Sequence, residues 1–399
     1  MLQPLPYRYP YEQTLTIGQP ELLSNLYHRQ PSRMSVLTIN SGSTSVKLAL
    51  YARTEHGDIA RLCALPSPGN ADPVVELTQA SQRMEVKPRA VAHRIVHGGD
   101  HFSQPVRIDA RVLSAIEGLS SLAPLHNPQA LRWVRAALSV WPGASQVAVF
   151  DTAFFRDLPR VAAEYALPPR LGTEQGVRRY GFHGLAHQAM WEKWCTLSPH
   201  LDRGGRLITV QLGGGCSIAA LNHGRPMDTS MGFSPLEGLV MATRSGDVDA
   251  AIVPYLEQRL GVSAESVVTW LNEESGLLGI SGSDANPGAL LTNTNPRAQF
   301  ALDLYCYRLR KYIGGYLAVL GGCDGIIFGG GVGEHVPAVR ARVLQGQEWA
   351  GILVDPGRNA VARGGSACIS PDTATVKVHV VTVEEESILA RAAVDITQP

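Results

Sequence analysis

Two stretches about half a chain apart share one rhythm of apolar and small residues. Residues 207–212 (LITVQL) and 217–221 (SIAAL) are β-rich runs on either side of Gly213, Gly214 and Gly215, and the second closes on Asn222-His223-Gly224, a hairpin-turn signal. Residues 36–51 (VLTINSGSTSVKLALY) repeat the pattern: β run, a turn of small residues from Asn40 to Ser45, β run. Glycine and serine turns let backbone N–H groups come close to an anion. One such turn reads as an ordinary hairpin. Two of one type predict two related halves facing a shared cleft, each offering amides and hydroxyls to one end of a polyphosphate.

Between and beyond these hairpins the pattern alternates strand and helix. Residues 90–96 (AVAHRIV) read as a buried strand ending at His97-Gly98-Gly99. Asn127 is the expected cap of a helix with Pro128 in its first position, running to Pro142-Gly143. Residues 146–150 form a strand that delivers Asp151 at its carboxyl end, where open α/β sheets bind ligands. A basic, aromatic loop (GVRRYGFHGLAH, 176–187) leads into a helix. Residues 297–320 predict a long amphipathic helix closed by Gly321-Gly322. A short strand at 325–328 then runs into Gly329-Gly330-Gly331-Val332-Gly333-Glu334, a nucleotide-type arrangement without the Lys-Ser/Thr of a P-loop. The last strand, 376–383, meets Glu384-Glu385-Glu386 and a short terminal helix, and at least two of these glutamates read as a solvated helix start. From the first hairpin to Arg89 the pattern is weak and reads as loops. Residues 1–33 carry five prolines and no lasting periodicity. They read as a poorly ordered extension, with no apolar core of a secretory signal and with Met34 as an alternative start.

Composition narrows the function classes. A chain of 399 residues holds two domains of ordinary size. Lys+Arg and Asp+Glu both number 35, which leaves no electrostatic footprint for nucleic acid or an anionic membrane. The charge-free apolar run around 312–323 is glycine-rich and falls short of the ~20 residues a membrane span needs. The six cysteines are scattered without a C-x-x-C pair, fitting a reduced cytoplasm. Cys216, beside the glycine turn, reads either as a nucleophile or as a small packing thiol.

Arg94 and Arg244 stand at strand or loop ends beside small and acidic residues, and each offers a rigid donor fork to carboxylate or phosphate, or else a structural ion pair. His93/His97 and His183/His187 have i, i+4 spacing but lack the Glu of H-E-x-x-H, which argues against zinc. Asp151 and the 384–386 run offer carboxylates suited to magnesium, which takes one or two of them together with phosphate and water.

From Met34 onward the chain resembles the acetate kinase family, of the superfamily that also holds sugar kinases and actin. The stretches that carry the resemblance are TINSGSTSVKL, HRIVHGG, LAPLHNP, VFDTAFF, RRYGFHGLAH, DTSMGFSPLEGL, TRSGDVD, GLLGISG, GGGVGEH and EEESILAR. It implies an α/β fold of two related ribonuclease-H-like (actin-like ATPase) domains facing a central cleft. The expected division is 34–185, with a C-terminal helix 385–399 packing back on it, and 186–384 as the nucleotide-binding domain.

The implied reaction is reversible, direct in-line transfer of the ATP γ-phosphoryl group to acetate, giving acetyl phosphate and ADP. Arg94 and Arg244 would grip the carboxylate and the travelling phosphoryl group, with His126 helping to bind it and His183 donating to its oxygens. Asn40, Asp151 and Glu385 (or the neighbouring Glu384) would organise Mg²⁺, with Mn²⁺ an alternative. Val96, Leu125, Phe182 and Pro235 would wall a methyl-sized pocket. Ser43, Ser45 and Lys47 lie in the first phosphate hairpin and Gln211, Gly213, Gly214 and Gly215 in the second, while Asp284, Gly330, Gly331, Gly333 and Glu334 would face the nucleotide. A cytoplasmic homodimer is implied as well. A carboxylate acceptor is already an anion at neutral pH, so the site needs no general base. It must offset repulsion between anions and stabilise a loose, metaphosphate-like centre.

Departures from the family pattern fall on the donor side. Gln211-Leu212-Gly213-Gly214-Gly215 replaces His-Leu-Gly-Asn-Gly, His335 replaces an Asn, and Asp284-Ala285-Asn286 replaces Asp-Phe-Arg. The same chemistry with propionate, or with GTP or pyrophosphate as donor, is therefore one alternative. A nucleotide-sensing protein without turnover is another, and the complete Arg94, Asp151, His183 and Arg244 set argues against it.

Overall fold

The structure, a computed structural model, describes residues 34–42, 46–65, 67, 72–124 and 126–397. The expected extension and the assignments to Ser43, Ser45 and Leu125 lie outside the described residues.

Among the described residues, twelve strands form two six-stranded sheets of one topology. In the first, β1 (Ser35–Ser41), β2 (Val46–Arg53) and β3 (Ile59–Leu65) form an antiparallel meander. β1 also pairs in parallel with β4 (Ala90–Ile95), β4 with β6 (Ser145–Phe150), and the two-residue β5 (Val106–Arg107) closes the edge antiparallel to β6. The second sheet repeats each step. β7 (Arg206–Leu212), β8 (Cys216–Asn222) and β9 (Arg225–Thr229) form the meander, β10 (Gly325–Gly329) and β12 (Lys377–Val381) extend it in parallel, and β11 (Ser366–Cys368) closes the edge. The repeat seen in two hairpins thus extends over all six strands. The Asn222-His223-Gly224 signal is a tight turn with φ of 49° at His223 and 75° at Gly224, joining β8 to β9.

Two helices tie the halves together. The Gly184–Leu197 helix places Leu185 in the core of the first sheet, and Met190 and Trp194 against Leu207 and Ile327 of the second. The C-terminal Glu385–Thr397 helix buries Ile388, Leu389, Ala393 and Val394 against Val36, Ala92 and Val149 of the first sheet. Long-range return of the chain end to the first strands is what places the acidic run near Asn40. Among the described residues no helix is long and apolar enough to cross a membrane.

Two local expectations fail for visible reasons. The stretch before Arg89 holds β3 and a helix, Pro73–Arg83, capped by Asp72. Its buried face is only Pro73, Glu76, Leu77 and Ala80, while Val74 and Val75 are 42% and 49% exposed, so the apolar stripe is blurred. Asn127 does not cap its helix, which begins at Asn127 with His126 in the cap position. Its amide instead accepts from the His97 N–H at 3.2 Å and donates to the His97 carbonyl at 3.0 Å, a long-range bond that outweighs the local one.

His183 precedes the Gly184–Leu197 helix in the left-handed region, with φ of 55°. Gly184 permits that entry, because a Cβ there would lie 1.9 Å from the Asp151 carbonyl oxygen. Gly184→Ala is expected to cost roughly 3 kcal/mol through this overpacking, read as a Tm several degrees lower in thermal melts. An unchanged Tm would show that the helix can move off Asp151 without strain.

Candidate functional site

The carboxyl ends of three adjacent parallel strands bring the first group of side chains together. Parallel registers set Ile39 beside His93 and Arg94 beside Val149, so Asn40, Arg94 and Asp151 emerge next to one another. They line a cleft of about 210 Å³ together with Gly42, Lys47, Val96, His126, Phe182, His183, Gln211, Gly213, Gly214, Gly215, Pro235, Arg244 and Glu385. Residues far apart in sequence and from both sheets therefore share one space. A larger hollow of about 270 Å³, bounded by Asp100, Arg156, Arg178 and Tyr180 among others, holds none of the sequence-derived residues.

The two arginines differ in their partners. Arg94 donates to both carboxylate oxygens of buried Asp151, at 2.6 Å from Nη2 and 3.1 Å from Nε, and to Asn40 Oδ1 at 3.3 Å. Burial works against its charge, yet Asp151, Glu385 and Glu386 outweigh that and hold the guanidinium above its ordinary value. Arg244 donates to the Pro235 carbonyl at 3.1 Å, and among the described residues no carboxylate pairs with it. Burial pulls it down from its ordinary value. It still ionises far above neutral pH, so the cleft holds an uncompensated cation.

Asn40 links this pair to the chain end. Its Nδ2 donates to Glu385 Oε2 at 2.7 Å and to Glu386 Oε1 at 3.0 Å, and Lys47 Nζ stands 3.8 Å from Glu386. Only Glu384 is exposed, so the reading of two solvated glutamates is corrected: Glu386 is buried and Glu385 lines the cleft. Asn40, Asp151 and Glu385 supply hard oxygen donors at one end of the cleft, a set that suits Mg²⁺ when phosphate and water complete the shell.

The buried histidines are neutral rather than cationic at neutral pH. Burial, with Arg244 and Arg94 adding to it, lowers His126 to about 4. Burial lowers His183 well below its ordinary value too, assisted by Arg94, Arg244 and His126. His93 and His97, each lowered to about 4 by burial, make structural bonds: His93 Nε2 with Gln146 at 2.8 Å, and His97 Nδ1 accepting from the Gly99 N–H at 2.9 Å. Val96 and Phe182, 4% and 1% exposed, and Pro235 give the cleft its apolar wall.

On the other side the glycine turn is open. Gly213 N–H bonds the Gly215 carbonyl and Ala242 N–H bonds the Gly214 carbonyl. The N–H groups of Gly214 and Gly215 have no partner among the described residues, and a Cβ on Gly214 would meet nothing within 4 Å. Gln211 is unpartnered as well: its Oε1 is buried without a hydrogen bond. Its Nε2 lies 2.8 Å from where a Cβ on Gly330 would stand. Asp284, Gly330, Gly331, Gly333 and Glu334 lie outside the cleft lining. Asp284 accepts from Asn286 N–H ahead of the Pro287–Thr292 helix, and buried Glu334 accepts from Val383 N–H at 3.3 Å. Cys216 is buried, 3.3 Å from the Tyr305 hydroxyl, with burial raising its thiol, so it packs rather than attacks. The sequence reading missed Glu386, Ser217 and Thr209. A run of three glutamates and a β alternation carry no mark that separates one member from its neighbours.

The buried imidazoles set a pH dependence of stability. His93, His97 and His126 titrate at about 4 and His187 at about 3 in the fold, against 6.5 ordinarily. Unfolding therefore takes up protons below about 6.5, and stability, full above that pH, falls as pH drops toward 4. The slope is at most about 1.4 kcal/mol per pH unit for each histidine. Denaturant unfolding at pH 7.5 and 4.5 is expected to show several kcal/mol less stability at 4.5, and equal stability would mean these rings are not buried neutral.

The acetokinase family model matches residues 71–391. An acetate kinase of Phocaeicola vulgatus is 39% identical over 390 residues, covering 90% of this chain and 98% of its own. The crystal structure of Porphyromonas gingivalis acetate kinase superposes with a TM-score of 0.80 at 35% identity, over 92% of this chain and all of its own. A propionate kinase structure from Francisella tularensis gives 0.81 at 30% identity, over 91% of this chain and all of its own.

Proposed function

The chain belongs to the acetokinase family and is a phosphotransferase with a carboxyl group as acceptor, and on that premise we propose how its cleft works. Its two sheets are the halves of the two-domain actin-like ATPase fold. The observation that carries the reading is the set of cationic and N–H groups that share the cleft: Arg94, Arg244 with no carboxylate partner among the described residues, His126 and His183, and the open N–H groups of Gly214 and Gly215.

Acetate enters with its methyl group against Val96, Phe182 and Pro235 and its carboxylate toward Arg244 and Arg94. The carboxylate attacks the γ-phosphorus of ATP in line, forming the acyl O–P bond as the bond to the ADP oxygen breaks. No proton is removed, so no base is required. Arg244, Arg94 and His126 hold the two anions together against their repulsion, and His183 donates to the equatorial oxygens as charge spreads over them. Asn40, Asp151 and Glu385 would hold Mg²⁺, which supplies charge neutralisation on the phosphates. Donor phosphates meet the Gly214 and Gly215 N–H groups and the Gln211 amide; Gly214 stands where the family pattern has an asparagine and Gln211 where it has a histidine. The six cysteines are free, supporting a cytoplasmic protein. Exposed Phe300 and Tyr307, seven residues apart on the Pro296–Leu320 helix, give apolar surface for a homodimer.

Arg244→Ala is expected to lower kcat/KM about 100-fold or more with the Tm retained, since it removes a charge-assisted contact and leaves no buried acid behind. Arg94→Ala is expected to lose activity and also stability, by about 3–5 kcal/mol, because Asp151 is left buried and unpaired. A hydroxamate assay with acetate, propionate and butyrate should rank them in that order, each methylene costing ~1–3 kcal/mol. With ATP, GTP and pyrophosphate as donors, ATP should lead, and Gly214→Asn should not improve it. Near-normal activity of Arg244→Ala, or pyrophosphate outperforming ATP, would overturn this assignment.

A further inference from the structure

A chain of hydrogen bonds leads away from His183 into the second sheet. His183 Nδ1 lies 2.9 Å from Ser217 Oγ, the same hydroxyl lies 2.7 Å from His187 Nε2, and His187 Nδ1 lies 2.7 Å from Thr209 Oγ1. Ser217, His187 and Thr209 have no solvent exposure and do not line the cleft. Whatever they do to the reaction passes through His183. The far nitrogen of that ring, Nε2, faces the cleft: a Cβ on cleft-lining Gly215 would stand 3.1 Å from it.

A neutral imidazole has a single N–H, so its tautomer decides whether the cleft meets a donor or a lone pair. Arg94 and Arg244 line the same cleft as His183, and two cations beside one ring favour its uncharged form. Each hydroxyl in the chain also has one proton, and if Ser217 accepted from both rings its buried O–H would be left without an acceptor, so two arrangements remain. In one, Thr209 donates to His187 Nδ1, His187 Nε2–H to Ser217, and Ser217 to His183 Nδ1, so that His183 presents Nε2–H. In the other every bond is reversed, and Thr209 must donate onward to the Ala219 carbonyl at 3.5 Å, longer than an ordinary O–H···O bond. That arrangement also aims a lone pair at phosphoryl oxygens.

We propose that Thr209, His187 and Ser217 are positioning residues that hold His183 as its Nε2–H tautomer, so that a neutral ring donates to the transferring phosphoryl group. This rests on the reading of the cleft given above. Indirect groups of this kind typically change activity by about 10-fold.

The test is ¹⁵N NMR of the full-length protein labelled on histidine, with and without inorganic phosphate, His183 being assigned by its loss in His183→Asn. The wild type should show Nε2–H at His183. Thr209→Val should move a large fraction to Nδ1–H and lower kcat about 10-fold while KM for acetate changes less than about 2-fold. Thr209→Ser should restore both. Ser217→Ala, which cuts the last link, should lower kcat by at least as much, and it serves if Thr209→Val does not fold. An Nδ1–H ring in the wild type, or a tautomer unmoved by both Thr209→Val and Ser217→Ala, overturns the proposal even if the melting temperature falls. The spectrum needs no turnover, so a protein that made no acetyl phosphate would refute the reaction separately from the tautomer.

Discussion

The buried ion pair between Arg94 and Asp151 is the constraint on which the site depends. Neither charge can be left alone at that depth: a single buried ion costs several kcal/mol, and the pair is tolerable only with good geometry and further hydrogen bonds. Parallel strands β4 and β6 provide the geometry, since their carboxyl ends lie side by side. Asn40, from the next strand, provides the further bond and passes the constraint on to Glu385 and Glu386. A tertiary contact between the first strand and the C-terminal helix is thereby written into the electrostatics of the cleft.

Pairing one arginine leaves the other to do a different task. Arg94 is fixed by its carboxylate, whereas Arg244 is held by a carbonyl and keeps its charge uncompensated. Burial, helped by the same two cations that an anionic ligand needs, keeps the imidazoles of His126 and His183 neutral. They add hydrogen-bonding groups without adding a further positive charge to the cleft. For a reaction whose acceptor is already ionised, donors and charge in place are the whole requirement.

The duplicated topology explains why the donor and acceptor sides meet. Each half ends its first strand in a turn of small residues, and each turn opens on the cleft: Asn40 and Gly42 from one, Gly213 to Gly215 from the other. At the glycine turn, backbone N–H groups rather than a side chain are left without a partner among the described residues. Gly330, forced into positive φ (76°) against Leu212, brings the second glycine loop close behind Gln211.

The sequence by itself determined the strands with continuous apolar runs, the paired hairpins, the carboxyl-end position of Asp151 and, through motifs that match a family, the cleft residues. Local patterning suffices there because strand period, turn chemistry and glycine are short-range properties. It did not determine the Pro73–Arg83 helix, whose buried stripe is too narrow to read past exposed Val74 and Val75. Nor did it separate Glu386 from Glu384, or mark Asn127 as the clamp on His97 rather than a cap. Those depend on which distant backbone or side chain arrives opposite. Only the tertiary structure decided that Arg94 has a carboxylate partner and Arg244 none among the described residues, and that Ser217, His187 and Thr209 line up behind His183. A hydrogen-bond partner some twenty to three hundred and forty residues away leaves no local signal, because only packing creates the distance at which it acts.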